Sequence, residues 1–489
     1  MESVKKEQKI FTFGYLLLLV ISTLICFIQE PRYAVAYAFA FIYIILAYKC
    51  YRFDFEKIQI SSLLIFAIIN SNASMNLGNS TIYVYYIVIF IFLLSLFWNI
   101  FQDFIKNKKI TILSITQLMV IALVGLYIIF STLTSDNLGI SMGKVKNHII
   151  SFATLIIAFI ELKKYDNFKA MIKFLKYLFL GVALLGLLEI IGVNYGMRNH
   201  FYESGITPER YPHVAHVPVT FFYNPNNYSV FLVMMMVIFI SDIIYKKINY
   251  KNLFFYILGM INIIFAMSRT AWISLVFTFI FMIIFFIISK EKIYMKRAVI
   301  LTIMSLIIYN GLSLIPAMGP FYGKMNQLKE ITSDTLLGNE TGAHIGQEGS
   351  VNVRLTLITD VLEGVIKEKK YLGFGPGMTS EYIKYRDNTY GIYSLHSLLL
   401  EILGDYGVIM LAVFAIVLIS QGIRILKKYL SLNMKKENIE KKNLFIGGVW
   451  LFTLIILSFA PSTVGNFPVF WIGIGGAFSL GSSDMKDIQ

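Results

Sequence analysis

Phe11–Ile28, Tyr33–Tyr48 and Ile82–Phe101 are apolar runs that contain no charged residue. A helix needs about 20 such residues to cross the ~30 Å hydrocarbon layer of a bilayer. Comparable runs recur to the end of the chain. Fourteen spans are expected, at roughly 10–28, 33–49, 58–76, 82–101, 111–131, 148–162, 171–193, 218–245, 252–267, 271–289, 297–315, 395–424, 443–460 and 468–482. Composition agrees: 57% of residues are hydrophobic, 15% are charged and the mean hydropathy is +0.68, far from the usual soluble balance. The runs are continuously apolar rather than alternating, which excludes a transmembrane β-barrel. The expected fold is all-α: a polytopic membrane bundle of about 12–14 helices, with one large external loop containing short amphipathic helices. Three regions follow: transmembrane helices 1–11 in 1–315, the loop in 316–394, and helices 12–14 with a cytoplasmic C-terminus in 395–489.

The first run follows Lys5, Lys6 and Lys9 as a secretory signal would, but it ends at Gln29-Glu30-Pro31 without a small-residue cleavage site. An uncleaved first span is therefore expected. With the N-terminus inside, 29 of the 43 Lys and Arg residues fall on the inner face and 14 on the outer, eight of those 14 in the long loop. Over short connectors the ratio is 29 to 6. Short connectors obey the positive-inside rule and long loops do so poorly, so both termini are expected in the cytoplasm and the loop outside. The net charge of +14 then needs no nucleic acid. Clusters such as Lys163/Lys164/Lys169/Lys173 and Lys427/Lys428/Lys435/Lys436/Lys441/Lys442 read as topology signals facing anionic headgroups. Cys26 and Cys50 fall near opposite membrane faces, too far apart for a disulfide.

Among the outer connectors, Asn70–Ser80 and Pro461–Pro468 are uncharged and offer little chemistry. Asn194–Val217 is richer, with Arg198, His200, Glu203, Glu209, Arg210, His213 and His216. His213 and His216 have a spacing a metal can use, but no third ligand accompanies them, and no metal site is assigned. Phe222-Tyr223-Asn224-Pro225-Asn226-Asn227 follows. Proline pushes its predecessor out of the α region, so Asn224 and Asn226 are expected at the outer mouth of the eighth span. Ser268-Arg269-Thr270 separates two strongly apolar spans, and an arginine near membrane depth usually faces a cavity or a partner.

Within the long loop, Val351, Leu355, Ile358, Leu362 and Val365 recur at steps of four and three, predicting an amphipathic helix with Arg354 in its first turn. Leu372-Gly373-Phe374-Gly375-Pro376-Gly377 matches neither phosphate-loop nor dinucleotide fingerprints. Its glycines can bring backbone N–H groups to an anion, with Gly375 and Gly377 as the binding positions, or can form a plain tight turn. His396 opens the twelfth span, where the helix dipole disfavours its cation. Ser397, Glu401 and Asp405 follow as a polar stripe pointing into the bundle. Two arginines, a neutral histidine and a dry pocket suit departure of a pyrophosphate: the guanidinium groups hold it bidentately, in place of a metal ion, and the histidine serves an acceptor hydroxyl.

The order Ser268-Arg269-Thr270, then Arg354 and Leu372–Gly377 in a long external loop, then Leu395-His396-Ser397…Glu401-Ile402-Leu403-Gly404-Asp405-Tyr406-Gly407 resembles the O-antigen ligase and O-antigen polymerase superfamily of bacterial envelopes. The Asn224-Pro225-Asn226 element is similar to that superfamily's Asn-Pro-Asn, and the likeness covers roughly residues 210–410. The resemblance implies an inverting, cofactor-free glycosyltransferase in the bacterial cytoplasmic membrane, with Arg269, Arg354 and His396 as catalytic residues. It implies an undecaprenyl-pyrophosphate-linked glycan as donor, a glycan or lipid as acceptor, and other polysaccharide assembly proteins as partners. Arg210, Asn224, Asn226, Gly375, Gly377 and Glu401 are expected to bind substrate. Polymerisation of repeat units is the first expectation and ligation of finished glycan the second. Ser397 stands where that superfamily commonly has asparagine. A lipid-linked sugar flippase would instead show repeated halves and mid-membrane charges; no repeat is visible, and Glu189, the one clear acid within a mid-chain span, lies near its outer end.

Overall fold

The computed structural model describes residues 2–78, 80–107, 113–246, 249–313, 344–432, 438–461, 464–465 and 467–482. Residues 314–343, which hold the end of the eleventh expected span and the first part of the expected external loop, lie outside the described residues. Each expected span falls on a helix: α1 Glu2–Gln29, α2 Ala34–Tyr51, α3 Phe55–Ile69, α4 Val84–Asn107, α5 Ile115–Leu133, α6 Leu138–Glu161 and α7 Tyr165–Ile190 in the first half. After a short α8, His200–Glu203, come α9 Pro225–Tyr245, α10 Tyr250–Phe265, α11 Arg269–Ile288 and α12 Lys292–Ser313. Two surface helices, α13 Ser350–Ile366 and α14 Met378–Arg386, precede α15 Leu398–Ser431, α16 Asn438–Leu457 and α17 Pro468–Ser482. Among the described residues, ten helices are long and apolar enough to cross a membrane, and α10 and α17 are shorter apolar helices. The protein is an all-α polytopic membrane bundle.

Antiparallel alternation puts the connectors after α1, α3, α5, α7, α10, α12 and α16 on one face, here called the loop face. At the centre stands α9, apolar all round and with its whole spanning window buried, packed by α7, α10, α11, α12 and α16. On the opposite face Asp242 accepts from Lys442 at 2.9 Å and pairs with Lys176, while Glu291 accepts from Lys441 at 2.9 Å. Lys441 and Lys442 are thus buried ion-pair partners rather than headgroup contacts. A carboxylate in this setting requires a matched cation, which fixes the α9–α16 register.

Four sequence expectations shift. The third span stops at Ile69, because polar Asn70–Asn72 turns away; Asn72 donates to the Phe221 carbonyl at 2.7 Å. A two-stranded antiparallel hairpin, β1 Ser74–Leu77 with β2 Ser80–Tyr83, follows. The sixth span begins ten residues early, at Leu138, where the Asn137 side chain accepts from the Ile140 N–H at 3.1 Å. In α13 the buried row is Val353, Leu357, Val361 and Val365, while Val351, Leu355 and Ile358 are half-buried and Leu362 is exposed.

The fourth shift is a break in α15. Gly407 sits at φ +78°, ψ −173°, interrupting the helical ladder. The freed groups are taken up from outside: Phe374 N–H donates to Gly404 O (2.8 Å), Gly375 N–H to Asp405 O (3.0 Å), and Val408 N–H to Tyr371 O (2.9 Å). Tyr127 caps the Tyr406 carbonyl at 2.8 Å. A helix can break inside a bundle only where neighbours satisfy its backbone in this way.

A Cβ at Gly407 would overlap the Tyr371 carbonyl, in a backbone region costly for any side chain. Gly407→Ala should therefore cost about 2 kcal/mol or more, lowering Tm of the detergent-solubilised protein by several degrees. An unchanged Tm would show that the break is not held by this splice.

Candidate active site

The loop face gathers three of the expected residues. Arg269 is the first residue of α11, whose N-cap Ser268 accepts from the Ala271 N–H, and it is half-buried. Arg354 reaches it from the first turns of α13: Arg354 Nη1 donates to the Thr270 hydroxyl at 3.3 Å. Burial, and then the Arg269 charge, pull the Arg354 guanidinium below its ordinary range; it stays a cation at any working pH. Among the described residues no carboxylate is close enough to influence either arginine. Neighbouring loop cations are matched: Arg386 with Asp360 and Glu363, Lys367 with Glu363, Lys370 with Asp136.

His396 lies just before α15, one residue ahead of the N-cap, at φ +50°. Its pKa is pushed down to about 4, first by burial and then by the Arg354 charge; the Pro461 carbonyl pulls the other way. The imidazole is thus neutral, as expected, though for a different leading reason than the helix dipole. Nε2 contacts the Ser394 hydroxyl at 3.2 Å. Nδ1 is buried and makes no hydrogen bond of acceptable geometry. Ser397 spends its hydroxyl on capping Leu400 N–H.

The other expected binding residues have structural partners. Glu401 accepts from the Val464 and Gly465 N–H groups at 3.1 and 3.3 Å, anchoring the α16–α17 turn. Gly377 N–H goes to the Asp405 carboxylate (2.8 Å), which also takes both donors of Thr379; Gly375 N–H goes to the Asp405 carbonyl. These glycines serve close packing against α15 and the α5–α6 corner and leave no N–H cradle for an anion. Asn224 is the buried N-cap of α9 and accepts from Asn227 N–H at 2.9 Å. Asn226 is half-buried beside it, and Arg210 is exposed on the Thr207–Arg210 turn; among the described residues, no hydrogen bond or ion pair joins either to the arginine pair. Glu189 accepts from Val219 and Thr220 N–H at 2.8 Å each, a tie between connectors rather than a transport charge. His216 Nδ1 donates to the Ile190 carbonyl.

Two cavities flank this region. An apolar one of about 430 Å³ runs between α5, α6 and α15, from His148, Glu401 and Tyr406 to Gln117 and Arg424. A polar one of about 880 Å³ opens on the loop face between the β-hairpin, α6 and the α7–α9 connector. The Ser151–Gly465 hydrogen bond is a wall common to both. The polar cavity's residues were dismissed or overlooked in the sequence: Asn70–Ser80 read as an empty turn, and Lys144 and Lys146 as part of a connector. Their one available signal was that they are cations on the face where cations are scarce.

The two kinds of polar residue separate by stability. Glu401→Gln should cost about 1–3 kcal/mol, since backbone donors lose a charged acceptor. Arg354→Gln should leave stability unchanged or raised, because it removes a half-buried charge that no described carboxylate neutralises. Parallel thermal scans check this, and an equal loss in both variants would make Arg354 a structural residue.

Comparison with known proteins gives one finding of each sign. Residues 254–415, which carry Arg269, Arg354 and His396, match the family model of O-antigen ligase. No curated protein matches the chain.

Proposed function

We propose, for a chain that residues 254–415 place in the O-antigen ligase and polymerase superfamily, an inverting glycosyl transfer from a polyprenyl pyrophosphate to an acceptor hydroxyl. The superfamily makes the chain a multi-pass membrane enzyme of ligase or polymerase type. The observation that carries the finer reading is the Arg269–Arg354 pair: two half-buried guanidinium groups, Arg354 bonded to Thr270 next to Arg269, with no carboxylate among the described residues to neutralise them. Such a pair is built for an incoming dianion.

In the reaction, Arg269 and Arg354 hold the diphosphate and stabilise the negative charge that grows on it as the anomeric C–O bond breaks. The acceptor oxygen attacks the opposite face of the anomeric carbon, so configuration inverts. His396 takes the acceptor's proton. The products are the new glycosidic bond and a polyprenyl diphosphate. Arg210, Asn224, Asn226, Gly375, Gly377 and Glu401 shape the surroundings and need not touch substrate.

The donor's lipid is undecaprenyl-like, held in the bilayer while its head group enters the loop face; the apolar cavity beside α15 has room for part of such a chain. The loop face is external and both termini are cytoplasmic, as the 29-to-6 charge ratio favours. This makes 316–394 an external catalytic loop and the host membrane a bacterial cytoplasmic membrane. A growing glycan is the preferred acceptor, giving a polymerase, because the adjoining large cavity is polar and suits sugars better than acyl chains. Other polysaccharide assembly proteins would supply the repeat units.

Arg354→Ala and His396→Ala should each lower turnover of a synthetic polyprenyl-pyrophosphate oligosaccharide by about 10²-fold or more, with the protein still inserted and accumulating. Arg354→Lys should rescue little, since lysine cannot grip a diphosphate bidentately. Polymer of normal yield and length from the alanine variants would refute the site.

The pH profile offers a second check. A base with its pKa near 4 is essentially all neutral above about pH 5.5, so kcat/KM, which reports the free enzyme, should stay flat from pH 8 to about 5.5. An acid limb near 6.5, the value of an unperturbed imidazole, would point to a different base.

A further inference from the structure

We propose that the 880 Å³ polar cavity on the loop face is a binding site for an acidic stretch of glycan, one whose sugars carry carboxylates. The inference deepens the transferase reading and rests on it for the word glycan. Its charge argument stands separately. Outside the long loop only six Lys or Arg residues belong to the loop face: Arg32, Lys144, Lys146, Arg198, Arg210 and Arg269. Three of them, Lys144, Lys146 and Arg198, line this one cavity. On a face that otherwise sheds basic residues, such a concentration marks a site for negative charge.

The cations differ in availability. Arg198 is committed to Glu203 in a bidentate pair at 2.9 Å and lies over the Tyr223 ring at 4.8 Å. Lys144 and Lys146 make no ion pair among the described residues. Glu381, the one carboxylate among the described lining residues, sits 4.0 Å from Lys384. The site therefore keeps two free positive charges.

The rest of the lining is suited to sugar. Tyr83, Tyr86 and Tyr223 are half-buried aromatic surfaces with polar tips, able to pack on the C–H face of a pyranose and still hydrogen-bond. Asn70, Asn147 and Asn227 supply amides that donate and accept, as paired hydroxyls require. Asn227 Oδ1 is buried without a partner. Tyr223 is held at φ +68°, a strained position of the kind kept at ligand sites. The volume lies within the range of small-ligand pockets and takes a few sugar rings. The Ser151–Gly465 wall sets the cavity beside the turn that Glu401 anchors, close to the segment that carries Pro461 against His396. An acceptor chain lying here would present its end toward the imidazole.

The test uses the whole protein in nanodiscs and four probes: tetragalacturonate and a hyaluronan tetrasaccharide as acidic glycans, maltotetraose and chitotetraose as neutral ones. Binding is read by saturation-transfer NMR and titration. At least one acidic probe should bind, about tenfold or more tighter than either neutral probe, and weaken in 0.5 M salt. Lys144→Gln/Lys146→Gln should abolish that preference. Because the Lys144 stem packs against Gly377, Lys146→Gln alone is a second variant, expected to lose part of it. Arg354→Ala should keep acidic binding while losing turnover. Equal binding of neutral probes overturns the acidic class, and binding of no probe overturns the cavity as a glycan site. Absence of turnover by the unsubstituted protein overturns the transferase reading, and full turnover by Arg354→Ala overturns its site assignment, each leaving the binding result to stand on its own.

Discussion

The splice between the broken turn of α15 and the segment Tyr371–Gly375 decides where everything on the loop face can sit. A membrane helix that breaks must hand its backbone groups to something else, and here the recipient is the loop itself. Three backbone hydrogen bonds run between Tyr371–Gly375 and Gly404–Val408. The Asp405 carboxylate then takes Gly377 and Thr379, at the start of α14. Arg354 and His396 belong to opposite ends of the polypeptide between them, the first on α13 and the second before α15. Tying the middle of that polypeptide to the bundle fixes both ends relative to Arg269.

Given that frame, the electrostatics of the face divide into two populations. Some charges are matched and structural: Arg386 with Asp360 and Glu363, Lys370 with Asp136, and Arg198 with Glu203. Others have no counter-charge among the described residues, namely Arg269, Arg354, Lys144 and Lys146. A protein that supplies carboxylates so readily to some cations and withholds them from others is keeping the latter for a ligand. The same reasoning separates Glu401, which holds two backbone N–H groups, from these cations, which have no carboxylate partner among the described residues.

Much of the bundle was legible because the bilayer imposes a length on every apolar run, so all fourteen expected spans meet a helix. The residues proposed for the reaction stand out for a related reason: Arg269 is the only charge in a connector between two spans, and His396 is a polar interruption at the start of another. What the chain concealed was pairing. Gly373, Gly375 and Gly377 read as an anion cradle or a plain tight turn, since nothing local says that they close on the turn broken at Gly407. Glu401 read as a substrate ligand because its backbone partners lie more than 60 residues away. The phase of α13 was misread because its buried row faces α14 and α15, and alternate rows of the same helix are almost equally apolar.

Lys144 and Lys146 show where charge statistics say more than periodicity. Read as a topology signal, a lysine on the sparse face is noise to be averaged over. Read as an exception, it asks why a costly position was kept. The early start of α6 answers geometrically: the helix extends outward from Asn137, so residues that look like connector are a rigid wall with one side toward a cavity. Cations on a helix wall hold their positions, and two of them at steps of two residues cannot share one helix face. They must reach different parts of the space beside them, which suits a ligand bearing charge at intervals along its length better than one bearing a single anionic group.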